Sequence, residues 1–203
     1  MLNIKIKRTS IFPEIFLTEK EQDPDLLKKW GIDKPYWVIN AGFKNDIPLK
    51  QYPAAYWQRV INKLRTSDSF GLDIIHSGHS HHINPQLSSV KNLVGATDNL
   101  RDYFSLIYHS EGVICHVSLP MHIAAAFHKP CVVIAGGRES FRWEQYPGHQ
   151  YLHSIGKVDC CREFGCWKSN FDECSNFLQY PICYKIISPD TVVNAVLDCV
   201  KTY

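Results

Sequence analysis

Four cysteines separated by short intervals occur near the end of the sequence. Cys161, Cys166, Cys174 and Cys183 are spaced by four, seven and eight intervening residues. Four thiolates suit tetrahedral zinc or a rubredoxin-like iron, and a bound metal would supply folding free energy to a segment with few periodic apolar residues. Cys160 could replace Cys161 as the first ligand, although we favour Cys161. The alternative is a set of reduced cysteines buried by packing.

A run of histidines, HSGHSHH, offers a second set of possible metal ligands. Neutral imidazoles of His76, His79, His81 and His82 could bind zinc or nickel, as in a metallohydrolase. The sequence contains no HExxH motif and no regularly spaced carboxylate beside this run. We therefore interpret it as a solvated loop, in which His76 and Ser77-Gly78 lie at a strand end that could border a nucleotide.

Two lysines could bind an anion. Lys44 and Lys50 lie on either side of a turn that follows the apolar run Tyr36–Asn40. In α/β folds ligands bind where strands end, and an ammonium group there can neutralise a diphosphate. The alternative is that one or both are solvated surface lysines.

The stretch Gly112–Glu139 predicts a strand, a helix and a second strand. Its helix has Ser118 as a candidate N-cap and Pro120 in the first turn, and it is rich in alanine, so it can lie close against a sheet. The free N–H groups and the dipole at the start of such a helix favour a phosphate. After the second strand, Gly136 and Gly137 allow a ligand to approach the backbone, and Glu139 could bind ribose or sugar hydroxyls. The alternative for these three residues is an ordinary turn.

These residues need a scaffold that brings them together, and the apolar pattern predicts one. Continuous apolar runs are typical of parallel strands that are buried on both faces. Such runs alternate with amphipathic segments, which predicts an α/β fold with a Rossmann-like parallel sheet flanked by helices. We predict strands over Tyr36–Asn40, Leu72–His76, Asn92–Gly95, Gly112–Cys115 and Cys131–Ala135, and helices over Pro53–Arg65, Asn99–His109 and Asp190–Val200.

The length of 203 residues fits one domain. Within it we expect an N-terminal edge segment at 1–35, a Cys-rich loop insertion at 151–186 and a closing helix at 188–203. The net charge of +2 gives no argument for a nucleic-acid partner, and no apolar run approaches the ~20 residues of a membrane span. With no recognisable signal peptide, we expect a cytoplasmic protein whose eight cysteines are not a disulfide framework.

One stretch resembles a known family. The run SLPMHIAAAFHKPCVVIAGG, residues 118–137, resembles the donor-site motif of the heptosyltransferases, glycosyltransferase family 9. The following run, GGRE and then W-E-x-Y-P-x-H-Q, resembles the autotransporter-heptosyltransferase branch. The resemblance extends from about Ile11 to Val200. It implies the C-terminal, donor-binding half of a two-domain GT-B glycosyltransferase.

The resemblance also implies roles for single residues. Lys50 takes the position of the lysine that contacts the donor phosphates, and Lys44 is the second candidate. His122 corresponds to a histidine beside the nucleotide sugar, and Ser118 through Met121 would supply backbone N–H groups. The family's usual turn has an acidic residue, then Thr or Ser, then Gly, whereas this sequence has Val117, Ser118 and Leu119.

The same resemblance covers the cysteines, because CCREFGCW and the cysteines after it are similar to a segment that forms an iron-binding finger in that branch. We therefore expect iron or zinc at Cys161, Cys166, Cys174 and Cys183.

The main functional hypothesis is a domain that binds a nucleotide sugar, of the ADP-heptose type, for inverting transfer to an acceptor hydroxyl. The catalytic base would then come from an N-terminal half or a partner chain, and an oligomer is compatible with this arrangement. A second hypothesis is a non-catalytic, metal-stapled binding or assembly module. The third is the histidine-rich metallohydrolase.

Overall fold

The computed structural model describes residues 12–44, 50–162, 164–166, 174, 177–178 and 180–202. Residues 1–11 of the predicted edge segment and residues 45–49 of the lysine turn lie outside the described residues. All eight cysteines and every predicted donor-site residue lie within them.

Six parallel strands form the central sheet. Their order across the sheet is β3-β2-β1-β4-β5-β6, which is the doubly wound order of a Rossmann fold. The predicted α/β fold is therefore confirmed. The strands are β1 (Tyr36–Asn40), β2 (Asp73–Gly78), β3 (Lys91–Val94), β4 (Gly112–His116), β5 (Cys131–Gly136) and β6 (Gln150–His153). A separate two-stranded hairpin pairs β7 (Phe177–Leu178) with β8 (Tyr180–Pro181).

Helices connect and cover these strands. The α-helices are α1 (Glu19–Gln22), α2 (Ala54–Arg65), α3 (Leu100–Tyr108), α4 (Leu119–Ala126), α5 (Phe141–Glu144), α6 (Ile182–Lys185) and α7 (Pro189–Thr202), and two 3-10 helices occupy Pro24–Trp30 and Asp159–Cys161. None of the helices in the described parts of the chain is long and apolar enough to cross a bilayer.

Strand alternation divides the core between the two faces of the sheet. On β1, Trp37 and Ile39 pack with residues of α2, α6 and α7, whereas Tyr36 and Val38 pack with residues of α3 and α4. Successive side chains of a strand point to opposite faces, so a strand covered on both sides must be apolar throughout. This is why β1, β4 and β5 have continuous apolar sequences.

The sixth strand was not predicted. Gln150–His153 adds to the edge of the sheet next to β5, so the predicted start of the Cys-rich segment at residue 151 falls inside β6. Its sequence, QYLH, is short and only Tyr151 is buried, so it lacks the apolar pattern of a covered strand. The register between β5 and β6 shifts at Ile134/Gly136, where Gly136 has a positive φ of 62°.

The order of the strands places a crevice at their carboxyl ends. The chain leaves β1 toward β2 on one side and returns through β4 on the other, so β1 and β4 are neighbours at the point where the winding reverses. Loops after these two strands diverge there, and a cleft opens between them.

Candidate functional site

A cavity of ≈ 760 Å³ lies at this crevice. Its walls come from the loops after β1, β2, β3 and β4. The lining residues are Asn40, Gly42, Phe43, Lys44, Lys50, Gly78, His79, His82, Thr97, Asp98, Asn99, Leu100, Tyr103, His116, Val117, Ser118, Leu119 and Pro120. Among the lining residues that the structure describes, Lys44 and Lys50 are cations and Asp98 is the one carboxylate, so these side chains together favour an anionic ligand.

Lys50 is held at the wall of the cavity by two contacts. Its ammonium group donates to the carbonyl oxygen of Val117 at 2.9 Å and pairs with Glu139 Oε1 at 2.5 Å. The lysine side chain is 25% exposed and the glutamate side chain 12%. Burial raises the pKa of Glu139, and the opposing charge of Lys50 does not cancel that rise. Lys44, in contrast, is exposed where it lines the cavity.

The start of α4 also faces the cavity, through Ser118, Leu119 and Pro120. Ser118 is the N-cap by position, but its hydroxyl donates to the carbonyl of His116 at 3.2 Å and does not cap the helix. Pro120 has no N–H. The N–H of Met121 already donates to the Ser118 carbonyl at 3.1 Å. The N–H groups of Ser118 and Leu119 are therefore the donors from this turn that a ligand could use.

Asn40, Tyr103 and Ser77 form a polar network at the cavity. The side-chain amide of Asn40 donates to Tyr103 Oη at 3.1 Å, and Ser77 Oγ lies 3.5 Å from the same oxygen. Burial raises the pKa of Tyr103, so its phenol stays protonated and can donate. The network joins the ends of β1 and β2 to α3, and two of its members line the cavity.

His116, at the end of β4, is a buried neutral histidine. Its Nε2 accepts from the backbone N–H of Tyr52 at 3.2 Å. The rings of Trp57 and Tyr184 pack edge-on against it, with centroids 5.5 and 5.7 Å away. Burial, with a smaller contribution from the charge of Lys50, lowers the pKa of His116 to about 3. This histidine therefore contributes an uncharged group to the lining of the cavity.

The histidine loop borders the cavity through His79 and His82. His79 Nδ1 accepts from the backbone N–H of His81 at 3.2 Å, so in the neutral ring the proton sits on Nε2. A ring with that tautomer presents a donor and not a metal-binding lone pair. His76 is buried, and burial lowers its pKa to about 4. Among the residues with described positions, no group of three or more His, Cys, Asp or Glu side chains could hold a metal ion.

Several predicted donor-site residues lie beside the cavity and do not line it. Met121 is fully buried. His122 Nδ1 lies 2.8 Å from Tyr146 Oη, and its pKa is lowered by burial and then by the charge of Lys50. Gly136, Gly137 and Glu139 are also absent from the described lining. Of the predicted residues, Lys44, Lys50 and Ser118 meet at the cavity itself.

Gly136 and Gly137 make room for neighbouring protein side chains. A Cβ on Gly136 would lie 2.6 Å from the ring of Tyr184, and one on Gly137 would lie 2.5 Å from Cys161 Sγ. The Gly137 carbonyl accepts from the N–H of Cys166 at 3.1 Å. Cys161 and Cys166 of the Cys-rich segment are thus packed directly on the turn that leads to Glu139.

The four predicted metal ligands converge only partly. Burial raises the pKa of the Cys183 thiol to about 12, and the thiols of Cys161, Cys166 and Cys174 add to this rise, so all three lie within electrostatic reach of it. As stated above, the described side chains do not assemble a ligand set. Metal ligands are often drawn together only when the ion binds, because the site and the metal form together.

Other lining residues were missed by the sequence analysis. Asn40 ends an apolar strand, which was a usable signal, because polar residues at strand ends line such crevices. Asn99, Leu100 and Tyr103 were assigned only to a helix, and Thr97 and Asp98 were given no role. His116 was hidden because it continues an apolar strand, and its contact with Tyr52 joins residues 64 positions apart.

Comparison with known proteins gives the same fold. No curated protein sequence matches this chain significantly. The solved ADP-heptose lipopolysaccharide heptosyltransferase II of E. coli superposes with a TM-score of 0.69 at 16% identity, covering 97% of this chain and 56% of that one. A family 9 glycosyltransferase of Veillonella parvula gives 0.68 at 16% identity, covering 94% of this chain and 54% of that one.

A third structure is TibC of enterotoxigenic E. coli, described as a dodecameric iron-containing heptosyltransferase in complex with ADP-D-β-D-heptose. It superposes with a TM-score of 0.65 at 19% identity, covering 84% of this chain and 46% of that one. This chain therefore spans about half the length of the solved proteins that it matches. The model of glycosyltransferase family 9 (heptosyltransferase) matches residues 5–168. Because that match covers most of the sequence and the observed fold agrees with it, the chain belongs to glycosyltransferase family 9.

Proposed function

We propose that this chain is the donor-binding half of a heptosyltransferase-like glycosyltransferase and that it binds a nucleoside-diphosphate sugar in the cavity. The observation that carries the proposal is that Lys50 and the first turn of α4 meet at the carboxyl edge of β1 and β4. A lysine and free helix N–H groups are the two devices that proteins commonly use to bind a diphosphate.

The lining of the cavity supports a nucleotide. Lys44, Lys50, His79 and His82 can face phosphate oxygens, and the opposing lining carboxylate is Asp98. On the side formed by α3, the lining offers the amide of Asn40, the phenol of Tyr103 and the exposed apolar side chain of Leu100. Apolar surface with a few placed polar groups is the usual environment of a nucleoside.

ADP-heptose is the donor that we propose. The support is that TibC, which shares this fold, was solved with ADP-D-β-D-heptose, and that heptosyltransferase II acts with ADP-heptose by its description. The Val117-Ser118-Leu119 turn differs from the family pattern, so we expect the contacts to the sugar to differ as well.

The proposed reaction is inverting transfer. A general base removes the proton of the acceptor hydroxyl, and its oxygen bonds to the anomeric carbon. The bond from that carbon to the diphosphate breaks, and the nucleoside diphosphate leaves with the electron pair. Lys50 and the N–H groups of Ser118 and Leu119 stabilise the charge that develops on the leaving group. We assign the base and the acceptor site to a further half or a partner chain.

We also propose that Cys161, Cys166, Cys174 and Cys183 hold iron or zinc. TibC is iron-containing by its description, and the thiols of Cys161, Cys166 and Cys174 here lie within electrostatic reach of Cys183. A bound metal would replace the protons of the four thiols and hold the residues that carry them together next to β5. A metal bound by cysteine thiolates also fits the reducing cytoplasm, where we propose the protein resides.

A titration of the purified protein with nucleotides tests the donor proposal. We expect ADP and ADP-heptose to bind with measurable heat, and GDP and UDP to bind more weakly, because the proposed donor is an adenine nucleotide. Equal affinity for all three diphosphates would contradict the assignment of an adenine nucleotide. Absence of binding by every nucleotide would contradict the donor site itself.

A further inference from the structure

The ion pair between Lys50 and Glu139 changes what the lysine can offer to a ligand. Lys50 lines the cavity, whereas Glu139 is 9% exposed and lies outside the described lining, so the carboxylate stands behind the ammonium group. Lys50 Nζ and Glu139 Oε1 are 2.5 Å apart. A ligand at the cavity wall therefore meets a cation whose charge is already compensated.

Groups other than Lys50 neutralise the negative charge of Glu139 only in part. Glu139 Oε2 is buried without a hydrogen-bond partner among the described residues, and Arg138 Nε lies 3.8 Å from Oε1. Lys50 Nζ pairs with Oε1, and no described donor forms a hydrogen bond with Oε2. Negative charge at this position will repel any anion that binds on the other face of Lys50, and a half-buried setting screens the repulsion less than water does.

The two nucleotides of the proposed reaction differ in charge at the position that Lys50 would contact. A nucleoside diphosphate ends in a phosphate monoester, whose second pKa is near 6, so it carries about three negative charges at pH 7.5. In a nucleotide sugar that phosphate is esterified and the molecule carries about two. The additional charge of the product lies on the terminal phosphate.

We propose that Glu139 is a specificity-determining residue, whose carboxylate behind Lys50 favours the intact nucleotide sugar over the nucleoside diphosphate that leaves. The inference rests on the proposed function and adds to it a preference set by charge. At a separation of roughly 6 Å and an effective dielectric of about 40, one extra charge beside a carboxylate changes affinity by about tenfold. The same repulsion assists release of the product, a step that limits turnover in many enzymes.

The test compares two ligands on two proteins. The ligands are ADP and the β-methyl ester of ADP, which has the charge of a nucleotide sugar but no sugar contacts. Calorimetry at pH 7.5 gives, for each protein, the ratio of the affinity for the ester to the affinity for ADP. Glu139→Gln keeps the shape of the side chain and removes its charge, so it should reduce that ratio by about tenfold.

The ratio separates this inference from a structural role. A variant that merely displaces Lys50 removes a nearby cation, so it weakens ADP at least as much as the ester and does not lower the ratio of ester affinity to ADP affinity. That result would overturn the inference. Glu111→Gln is the matched control. Glu111 is an exposed carboxylate just before β4, at the amino ends of the strands, whereas the cavity lies at their carboxyl ends. It should preserve the wild-type ratio.

Where Glu139→Gln does not fold, Glu139→Ala also removes the charge and gives the same comparison. A ratio equal to that of the wild type would overturn the inference and leave the donor site intact. Wild-type protein that binds ADP, its ester and ADP-heptose not at all would overturn the proposed function itself.

Discussion

The backbone N–H of Tyr52 donates to Nε2 of the buried His116 at 3.2 Å, across 64 residues of sequence. Tyr52 follows Lys50 by two residues, and His116 precedes Ser118 by two. This single contact therefore joins the segment that carries the lysine to the segment that begins α4. The ring nitrogen can accept only because burial keeps the imidazole neutral, with a pKa of about 3.

Replacing that histidine should separate the two halves of the candidate phosphate site. His116→Phe would preserve the packing against Trp57 and leave the Tyr52 N–H without an acceptor. An unsatisfied buried N–H costs about 1–3 kcal/mol, which chemical denaturation would detect. We also expect ADP affinity to fall, because Lys50 and Ser118 lose their fixed separation. His153→Phe, on β6 and outside the described lining, is the matched control and should bind ADP as the wild type does. Unchanged stability of His116→Phe would show that this contact is not needed.

The stability of the protein should fall as the pH is lowered below about 6.5. His76, His116 and His149 are buried, and burial lowers their pKa values to about 4, 3 and 4. Between pH 6.5 and these values, the unfolded chain binds protons that the folded protein does not, so acid favours unfolding. At pH 5, each histidine would contribute a loss of about 2 kcal/mol in the free energy of unfolding. Urea denaturation at pH 7.5, 6 and 5 measures it, and a flat profile would contradict the neutral state of these rings.

Lys50→Ala should weaken ADP binding by tens of fold. A hydrogen bond to a charged group contributes about 1.5–3 kcal/mol, and Lys50 is the lysine that the structure fixes at the cavity wall. Lys44→Ala should have a smaller effect, because Lys44 is exposed. Lys63→Ala, which removes a surface pair with Asp190, is the control and should leave calorimetric affinity unchanged. Equal affinity of Lys50→Ala and the wild type would remove this lysine from the site.

Gly137→Ala should disturb the Cys-rich segment. A Cβ at this position would lie 2.5 Å from Cys161 Sγ and 3.1 Å from Cys183 Cβ, so the two buried cysteines would have to move. Overpacking of this kind costs about 1–3 kcal/mol. Gly71→Ala is a control for glycine loss without a clash, because open space surrounds that position, although its positive φ of 55° adds some strain. We expect thermal unfolding to separate the two variants, with Gly137→Ala the less stable.

Metal content should depend on the Cys-rich segment alone. Cys166→Ser removes a predicted ligand and should reduce the iron or zinc content, measured by elemental analysis after purification without chelators. Cys115→Ser is the matched control, because Cys115 is buried in the core with its sulfur 3.8 Å from that of Cys131. Equal metal content in the two variants, or wild-type protein with no bound metal, would argue for reduced cysteines held by packing.

The amino-acid sequence by itself determined the fold class. A strand covered on both faces must be apolar at every position, so Val113-Ile114-Cys115 and Cys131–Ala135 could be recognised without a partner in view. Ser118 and Pro120 likewise marked the start of α4, because helix ends are encoded locally. The same stretch carried the resemblance that the family match confirmed. Strand β6 was not predicted, because a half-exposed edge strand does not need a continuous apolar sequence.

The tertiary structure alone decided how the site is assembled. Lys50 and Glu139 are 89 residues apart, and nothing near either one in the sequence indicates that they pair. Their contact depends on the register of β4 against β5 and on the course of two loops. The same holds for Tyr52 and His116, and for Gly137, whose missing side chain leaves room for Cys161 and Cys183. Local sequence selects the strands and helices, but which loop residues meet is fixed only when the sheet is complete.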